Sequence, residues 1–325
     1  MIITQTPLRI SLAGGGTDLP DFSREHGGCV VSTAIDKCIY VIVKARFDRK
    51  IRVGYSRTEM VDDVSEVQHE LVREALRMTG VCSGVEIATM ADIPSEGSGL
   101  GSSSSVTVGV LHALYTYQGH IVPPERLAEE ACRIEIEVLG KPIGKQDQYI
   151  AAFGGFRFIE FGHDGSVQVQ PLALSEDKRR ALDACLLLFY TGRTRDANAI
   201  LSRQRGNIAA RADTLLAMAE QARELRVDLE NGHCRRVAEV LHENWCHKRT
   251  LAEGISNGEL DGLYERACAA GATGGKVAGA GGGGFLLLYC PPGEQERLRE
   301  ALSDHVELPF HLAQQGTRVL LNAQR

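Results

Sequence analysis

Residues 94–105, Pro-Ser-Glu-Gly-Ser-Gly-Leu-Gly-Ser-Ser-Ser-Ser, lead without interruption into the apolar stretch Val106 to Tyr117. Gly97, Gly99 and Gly101 let the backbone turn several N–H groups onto one concave surface. A helix opening near Ser102 adds unpaired donors and a partial positive charge. A β-branched segment, Val85 to Met90, stands just upstream, so the order is strand, flexible loop, helix start, which is the layout of an anion site. A nucleotide phosphate chain is its natural occupant, and serine hydroxyls at such a helix start can ligate a magnesium ion riding on the phosphates. The same letters also fit a surface loop with a serine cap. Leu100 pinned between glycines, and four serines where one would cap, weigh against that alternative.

Working outward from this loop, the first third is strand-rich, with β-branched density over Ile2 to Ser11, Val30 to Ile35 and Ile39 to Phe47. Val64, Val67, Leu71, Val72, Ala75 and Leu76 recur at helical spacing before Gly80 supplies the stop. Helices are expected from Pro124 to Leu139 and from Ile143 to Phe153, and a strand from Phe156 to Phe161. The remainder reads as a strand at Cys185 to Tyr190, helices near 195–206, 208–230, 233–253 and 258–271, and short strands at Lys276 to Gly279, Phe285 to Cys290 and Thr317 to Leu321, with a helix from Gly293 to Ser303. Strands and helices without a regular βαβ alternation predict an α+β protein, with one domain over 1–165 and a second over 166–325.

Three other segments carry chemistry. Ala278-Gly-Ala-Gly-Gly-Gly-Gly-Phe285 contains GxGxxG, but a strand follows where a dinucleotide fingerprint requires a helix, and neither glycine run completes a Walker A motif. It reads as backbone packed against a ligand or another loop, or as a plain hairpin turn. In Pro7-Leu-Arg-Ile-Ser-Leu-Ala-Gly-Gly-Gly-Thr-Asp-Leu-Pro20 a strand bearing Arg9 ends in glycines followed by Thr17 and Asp18. A carboxylate and a hydroxyl on such a loop suit a polyol, while Asp18 also fits the cap of a helix starting near Pro20. In Cys132 to Gln148, Glu135 and Glu137 point to different faces of one helix and Asp147 stands in the first turn of the next, where it also suits the helix dipole.

Of the 325 residues 43% are hydrophobic and 24% charged, which excludes a disordered or fibrous chain, and a formal charge of −6 gives no electrostatic support to nucleic-acid binding. Nine cysteines show no CxxC pair, and no apolar run approaches the roughly 18 residues of a membrane span. A cytoplasmic protein without leader or anchor is expected.

Taken in order, PLRISLAGGGTD, GLGSSSS, GKPIGKQDQ and KVAGAGGGGF resemble the four motif regions of the GHMP small-molecule kinases, over most of the chain. LRISLAGGGTDLPDF, STAIDK, ACRIEIEVLGKPIGKQDQY and GAGGGGFLLLY are similar, more narrowly, to the branch acting on heptose 7-phosphates. The resemblance implies a two-lobed α+β fold, with an N-terminal lobe like ribosomal-protein domain 2, a ferredoxin-like C-terminal lobe and the site between them. It implies ATP and Mg²⁺ as cofactors, with Pro94, Gly97, Gly99, Leu100, Gly101, Ser102, Ser103 and Ser104 at the phosphates. Ser103 and Glu135 are implied as the metal ligands, with Glu135 preferred over Glu137. Asp147 is implied as the catalytic carboxylate with Arg9 beside it, and Gly16, Thr17 and Asp18 as the sugar segment, Gly16 standing where the family has histidine. Gly281 and Gly282 are expected at the substrate.

A sugar phosphate brings its own dianion, for which Arg193, Arg195, Lys248, Arg249 and Lys276 are candidates, Arg193 and Lys276 first. The implied reaction is phosphorylation of the anomeric hydroxyl of D-glycero-D-manno-heptose 7-phosphate for surface-polysaccharide precursors. A kinase of a free sugar such as fucose or galactose shares every ATP-side motif. A silent sensor on the same fold is disfavoured by Arg9, Ser103, Glu135 and Asp147 occurring together.

Overall fold

The computed structural model describes residues 1–93, 97–193 and 197–323. Its first sheet is organised by one long strand. β1 (Ile2–Ala13) and β2 (Gly28–Ala45) run antiparallel, and the two strands expected around Val30 and Ile39 are both parts of β2. The polar interruption that separated them is a bulge: Leu8 pairs with Ile35 and Pro7 with Cys38, leaving Asp36 and Lys37 outside the ladder. Other groups satisfy the freed backbone, since Asp36 N–H donates to His311 O (2.9 Å) and Cys38 N–H to the Asp92 carboxylate (2.9 Å).

The other edge of β2 is shared between β5 (Val85–Ala91) along its second half and β6 (Phe156–Phe161) along its first. Beyond β5 lie β3 (Ile51–Gly54), parallel to it, and β4 (Thr58–Val61). Both are only four residues long, too short to register as an alternating pattern. The sheet also takes β7 (Val167–Pro171) against β6, and β12 (Arg318–Asn322) against β1. It therefore draws strands from both sides of the boundary expected at residue 165.

Helices cover this sheet. The periodic segment after Asp62 divides into a 3₁₀ turn (Val64–Glu66), capped by the Asp63 carboxylate accepting from Ser65 N–H (2.8 Å), and α2 (Glu70–Thr79), which follows α1 (Pro20–His26) in chain order. Gly80 ends α2 in the left-handed conformation, φ 72°. α3 (Ser102–Tyr117) starts at the expected place. α4 (Pro124–Cys132) passes into a π-helical turn (Arg133–Val138), and α5 (Gln146–Phe153) follows.

The second sheet comprises β8 (Leu186–Tyr190), β9 (Gly274–Val277), β10 (Phe285–Tyr289) and β11 (Val306–Glu307), antiparallel in the order β11-β8-β10-β9. With helices between β8 and β9 and between β10 and β11, this is the ferredoxin-like βαββαβ arrangement. β10 is buried throughout because both faces are covered: Leu286 and Leu288 enter one core, Phe285, Leu287 and Tyr289 the other. α6 (Glu176–Asp183) precedes β8; α7 (Ala197–Gly206), α8 (Ala212–Glu230), α9 (Arg236–Lys248) and α10 (Gly258–Ala269) separate β8 from β9, and α11 (Gln295–Ala301) follows β10. α9 packs against both sheets and α8 against the first sheet and α9, and each sends side chains into both cores.

Candidate active site

A cavity of about 720 Å³ opens between the two sheets, lined from β1, the phosphate-type loop, the start of α5, α7, the end of α9 and the β9–β10 hairpin. Its centre is an ion pair. Arg9 projects from β1 with its side chain only 6% exposed; its Nε donates to Asp147 Oδ1 and its Nη2 to Oδ2, both at 2.7 Å. The third limb, Nη1, donates to Gly99 O (2.7 Å), and Arg9 N–H donates to Leu100 O (3.0 Å). One guanidinium thus fixes the carboxylate and the glycine loop relative to each other, the bidentate geometry that makes arginine irreplaceable by lysine here. Asp147, at 23% side-chain exposure, keeps access to the cavity. Gly101 is required between them: with φ 81°, a Cβ there would lie 3.2 Å from Arg9 Cγ and 3.3 Å from Asp147 Oδ2.

The glycine loop is backed by the second glycine run. A Cβ on Gly279 would stand 2.5 Å from Gly99 Cα, and one on Gly284 would stand 2.5 Å from the carbonyl oxygens of Gly97 and Ser98. Phe285 N–H donates to Ser98 O (3.2 Å). The run is at once the β9–β10 hairpin and a wall packed on another loop. Gly279 and Ala280 line the cavity, whereas Gly281 and Gly282, expected at the substrate, turn away from it: a Cβ on Gly281 would strike Ile255, and Gly282 N–H donates to Ile255 O (2.7 Å). Gly97, Gly99, Gly101, Ser102 and Ser103 line the cavity; Leu100 and Ser104 are buried behind it, and Pro94 lies outside the described residues.

Glu135 is fully buried in the π-helical turn, while Glu137 faces solvent. Its Oε1 accepts from Gln148 Nε2 (3.0 Å), and its Oε2 has no partner. Burial raises the Glu135 carboxyl above its usual range, against the lowering effect of the Lys141 charge and the Gln148 hydrogen bond. An orphaned carboxylate oxygen beneath the cavity-facing Ser103 fits a hard cation that takes its remaining ligands from phosphates and water. Among the described residues no group of three or more His, Cys, Asp or Glu could hold a metal ion by itself.

On the opposite wall, Asp18 is buried with Oδ1 accepting from Gly16 N–H (2.9 Å) and Oδ2 from Gln146 N–H (3.2 Å). Burial, then the charge of Asp147, raises its pKa. It does not cap α1, whose N-cap residue is Leu19 without a side-chain bond. Thr17, expected to face a sugar, spends its hydroxyl on the backbone instead, donating toward Gly14 O (2.8 Å) and Cys29 O (2.9 Å) and accepting from Cys29 N–H (3.1 Å). Gly16 does line the cavity. Ser11 Oγ and Gln146 Oε1, on the same wall, are buried without partners.

The five candidate cations separate cleanly. Arg193 is paired with Glu259 at a smaller hollow, and Arg249 with Asp261 (3.4 Å), so neither reaches the cavity; Arg195 lies outside the described residues. Lys276 lines the cavity, 3% exposed, with Nζ facing Leu12 O (3.3 Å) and Asn244 Oδ1 (3.4 Å). Burial pushes its pKa well down, and the nearby charges of Lys248 and Arg9 push it further. Lys248 also lines the cavity and donates to Gly279 O. Ser98, Lys141, Gln146, Asn198 and Gln204 line it too, unassigned by the sequence reading. Ser98, Lys141 and Gln146 stood within motifs already singled out, whereas Asn198 and Gln204 on α7 carried no signal.

Residues 66–155 match the GHMP kinases N terminal domain and residues 225–308 the GHMP kinases C terminal. The chain belongs to the GHMP kinase family, phosphotransferases acting on an alcohol group, which take the phosphoryl group from ATP, usually with Mg²⁺. Within it, this is a sugar kinase similar to the D-glycero-alpha-D-manno-heptose 7-phosphate kinase of Campylobacter jejuni, 32% identical over 318 residues and 93% of each chain. A solved putative sugar kinase from Campylobacter jejuni superposes with TM-score 0.80 at 30% identity, over 98% of this chain and 97% of that one. The fold is shared with a D-glycero-D-manno-heptose 1-phosphate kinase from Bacteroides thetaiotaomicron, TM-score 0.84 at 24% identity over the whole of both chains. No helix among the described residues is long and apolar enough to cross a membrane.

Proposed function

We propose that the protein transfers the γ-phosphoryl group of Mg-ATP to the anomeric hydroxyl of D-glycero-D-manno-heptose 7-phosphate, giving the 1,7-bisphosphate for surface-polysaccharide or lipopolysaccharide precursors. The observation that carries the reading is Lys276: a buried amine in the interlobe cavity, its Nζ set against Leu12 O and Asn244 Oδ1 with Lys248 and Arg9 nearby, so that burial and like charge favour its neutral form until an anion binds. A phosphate dianion on the substrate beside it would draw it back to the ammonium form, a contribution that a free sugar does not make. The similarity to a heptose 7-phosphate kinase along nearly the whole chain supports the same choice. The reaction is placed in the cytoplasm, where ATP is available and the nine free cysteines stay reduced.

The chain's own residues then divide the work. N–H groups of the Gly97–Ser103 loop and the start of α3 hold the nucleotide phosphates. Ser103 and Glu135 hold the cation, which when bound neutralises phosphate charge as it develops. Asp147, oriented by Arg9, holds the sugar hydroxyl in line and receives its proton late, while Asp18 and the unpaired Ser11 and Gln146 groups fix the other hydroxyls. An anomeric hydroxyl is more acidic than an ordinary alcohol, so a carboxylate suffices as acceptor.

The test is ADP release with Mg-ATP across heptose 7-phosphate, mannose, fucose, galactose and mevalonate, with the phosphate position read by phosphorus NMR. A 1,7-bisphosphate is the expected product. Turnover with a free sugar alone would overturn the sugar-phosphate assignment.

A further inference from the structure

α7 turns one face into the interlobe cavity. Ala197, Leu201 and Gln204 line it along a single helical stripe, while Ile200 on the other side enters the second core. The end of the stripe is held by its neighbours: Arg205 reaches across to Asp21 of α1, with Nε donating to Oδ2 (2.7 Å) and Nη2 to Oδ1 (3.1 Å), and Asn207 Nδ2 donates to Leu251 O (3.0 Å). Gln204 is only 3% exposed. A buried amide normally gives its donors and its acceptor to the protein. Among the described residues, no hydrogen bond uses the Gln204 side chain.

The amide lies against the wall that carries Asp18. Gln204 Nε2 is 2.6 Å from the point that a Cβ on Gly16 would occupy, and Gly16 N–H donates to Asp18 Oδ1 (2.9 Å). A side chain at position 16 would displace the amide, so glycine there gives it its place. The same wall offers the Asp18 carboxylate and the unpartnered Gln146 Oε1, both of which accept from a hydroxyl. A hydroxyl oxygen also accepts, and the amide carries two N–H donors beside its own acceptor. From this juxtaposition we propose that Gln204 is a specificity-determining residue, whose amide hydrogen-bonds a hydroxyl of the sugar from the second lobe and so selects among hydroxyl patterns. A sugar lacking that hydroxyl leaves the buried amide unpaired, which is the strongest form of discrimination open to a polar contact. The inference rests on the sugar-kinase assignment and holds for whichever sugar is the substrate.

The experiment takes heptose 7-phosphate, mannose, fucose or galactose, whichever the wild type turns over best, together with the monodeoxy analogues of that sugar. That choice is made on the wild type alone, so failure of the heptose 7-phosphate reading leaves the comparison intact. Initial rates with Mg-ATP are then measured for the wild type and for Gln204→Met, which keeps the length and helix preference of the side chain and removes its hydrogen-bonding atoms. Gln204→Met is expected to lower kcat/KM for the sugar on the order of ten-fold, through KM for the sugar, with KM for ATP and the melting temperature unchanged. Removing one particular hydroxyl from the sugar should cost the wild type a similar factor and the variant almost nothing, a coupling that a merely structural side chain does not produce. If Gln204→Met melts early, Gln204→Glu keeps the shape, replaces the donors by an acceptor and should show the same selective loss. Unchanged sugar kinetics in a folded variant, or losses that simply add at every hydroxyl, would overturn the proposal.

Discussion

Arg9 and Asp147 are 138 positions apart in sequence and share two hydrogen bonds of 2.7 Å. Asp147→Asn keeps the shape and removes the charge and the proton acceptor, so turnover is expected to fall by about 10²–10⁴ with nucleotide affinity nearly unchanged. Single-turnover assays beside nucleotide titration separate the two. Glu135 makes the opposite kind of prediction. Its folded-state pKa lies above the ordinary value, so its favourable contribution is complete below that ordinary value and is lost as pH rises through the raised one. At neutral pH the buried carboxylate is a cost to the empty protein. Glu135→Gln should raise the melting temperature without ligand by roughly 1–3 °C and abolish any further rise on adding Mg-ATP; a lower melting temperature would contradict the assignment. At this scale the sequence reading reached residue types better than directions. Thr17, Arg193, Gly281 and Gly282 have suitable chemistry yet point elsewhere, because orientation depends on packing partners such as Cys29, Glu259 and Ile255 that are remote in the chain.

Among the elements, the two glycine runs were legible separately but not their contact. A run of glycines signals a close approach without naming what approaches, and here it is another glycine backbone. Gly279→Ala places a methyl 2.5 Å from Gly99 Cα at a residue with φ 64°. The left-handed penalty and the overlap together predict a loss of roughly 2–4 kcal/mol and a raised KM for nucleotide, measured by denaturant melts and initial rates. An unaltered KM would show that the hairpin does not shape the phosphate loop. The helix expected from Pro124 to Leu139 was likewise right in extent and incomplete in kind. Nothing in its periodicity announces the π-helical turn that sets Glu135 inward, because one extra residue in a turn leaves a short hydrophobic pattern almost unaltered.

For the molecule as a whole, the α+β class and most strands could be read locally and the site between lobes was implied by resemblance, but the pairing of the strand at 318–322 with β1 could not be read. Whether a terminal strand belongs to the nearer or the farther sheet is a matter of pairing, which leaves no mark on its own five residues. Ending the chain after Gly316 removes β12 from β1 and Thr317 from His112 (3.0 Å) and Thr6 (2.8 Å). Hydrogen exchange should then accelerate first in β1 around Ile3 to Gln5, at the far end of the sequence, with β8 to β10 protected as before. Faster exchange confined to the second sheet would refute this arrangement.

That pairing has a consequence for how the protein is made. β1 is translated more than 300 residues before its edge partner β12, on the order of half a minute earlier. Until then the nascent chain carries an open β-edge at Ile2 to Gln5, on the strand that also bears Arg9. The strand that carries Arg9 therefore has its outer edge completed only once β12 has been made, which makes the unfinished polypeptide a natural client of chaperones that shield strand edges.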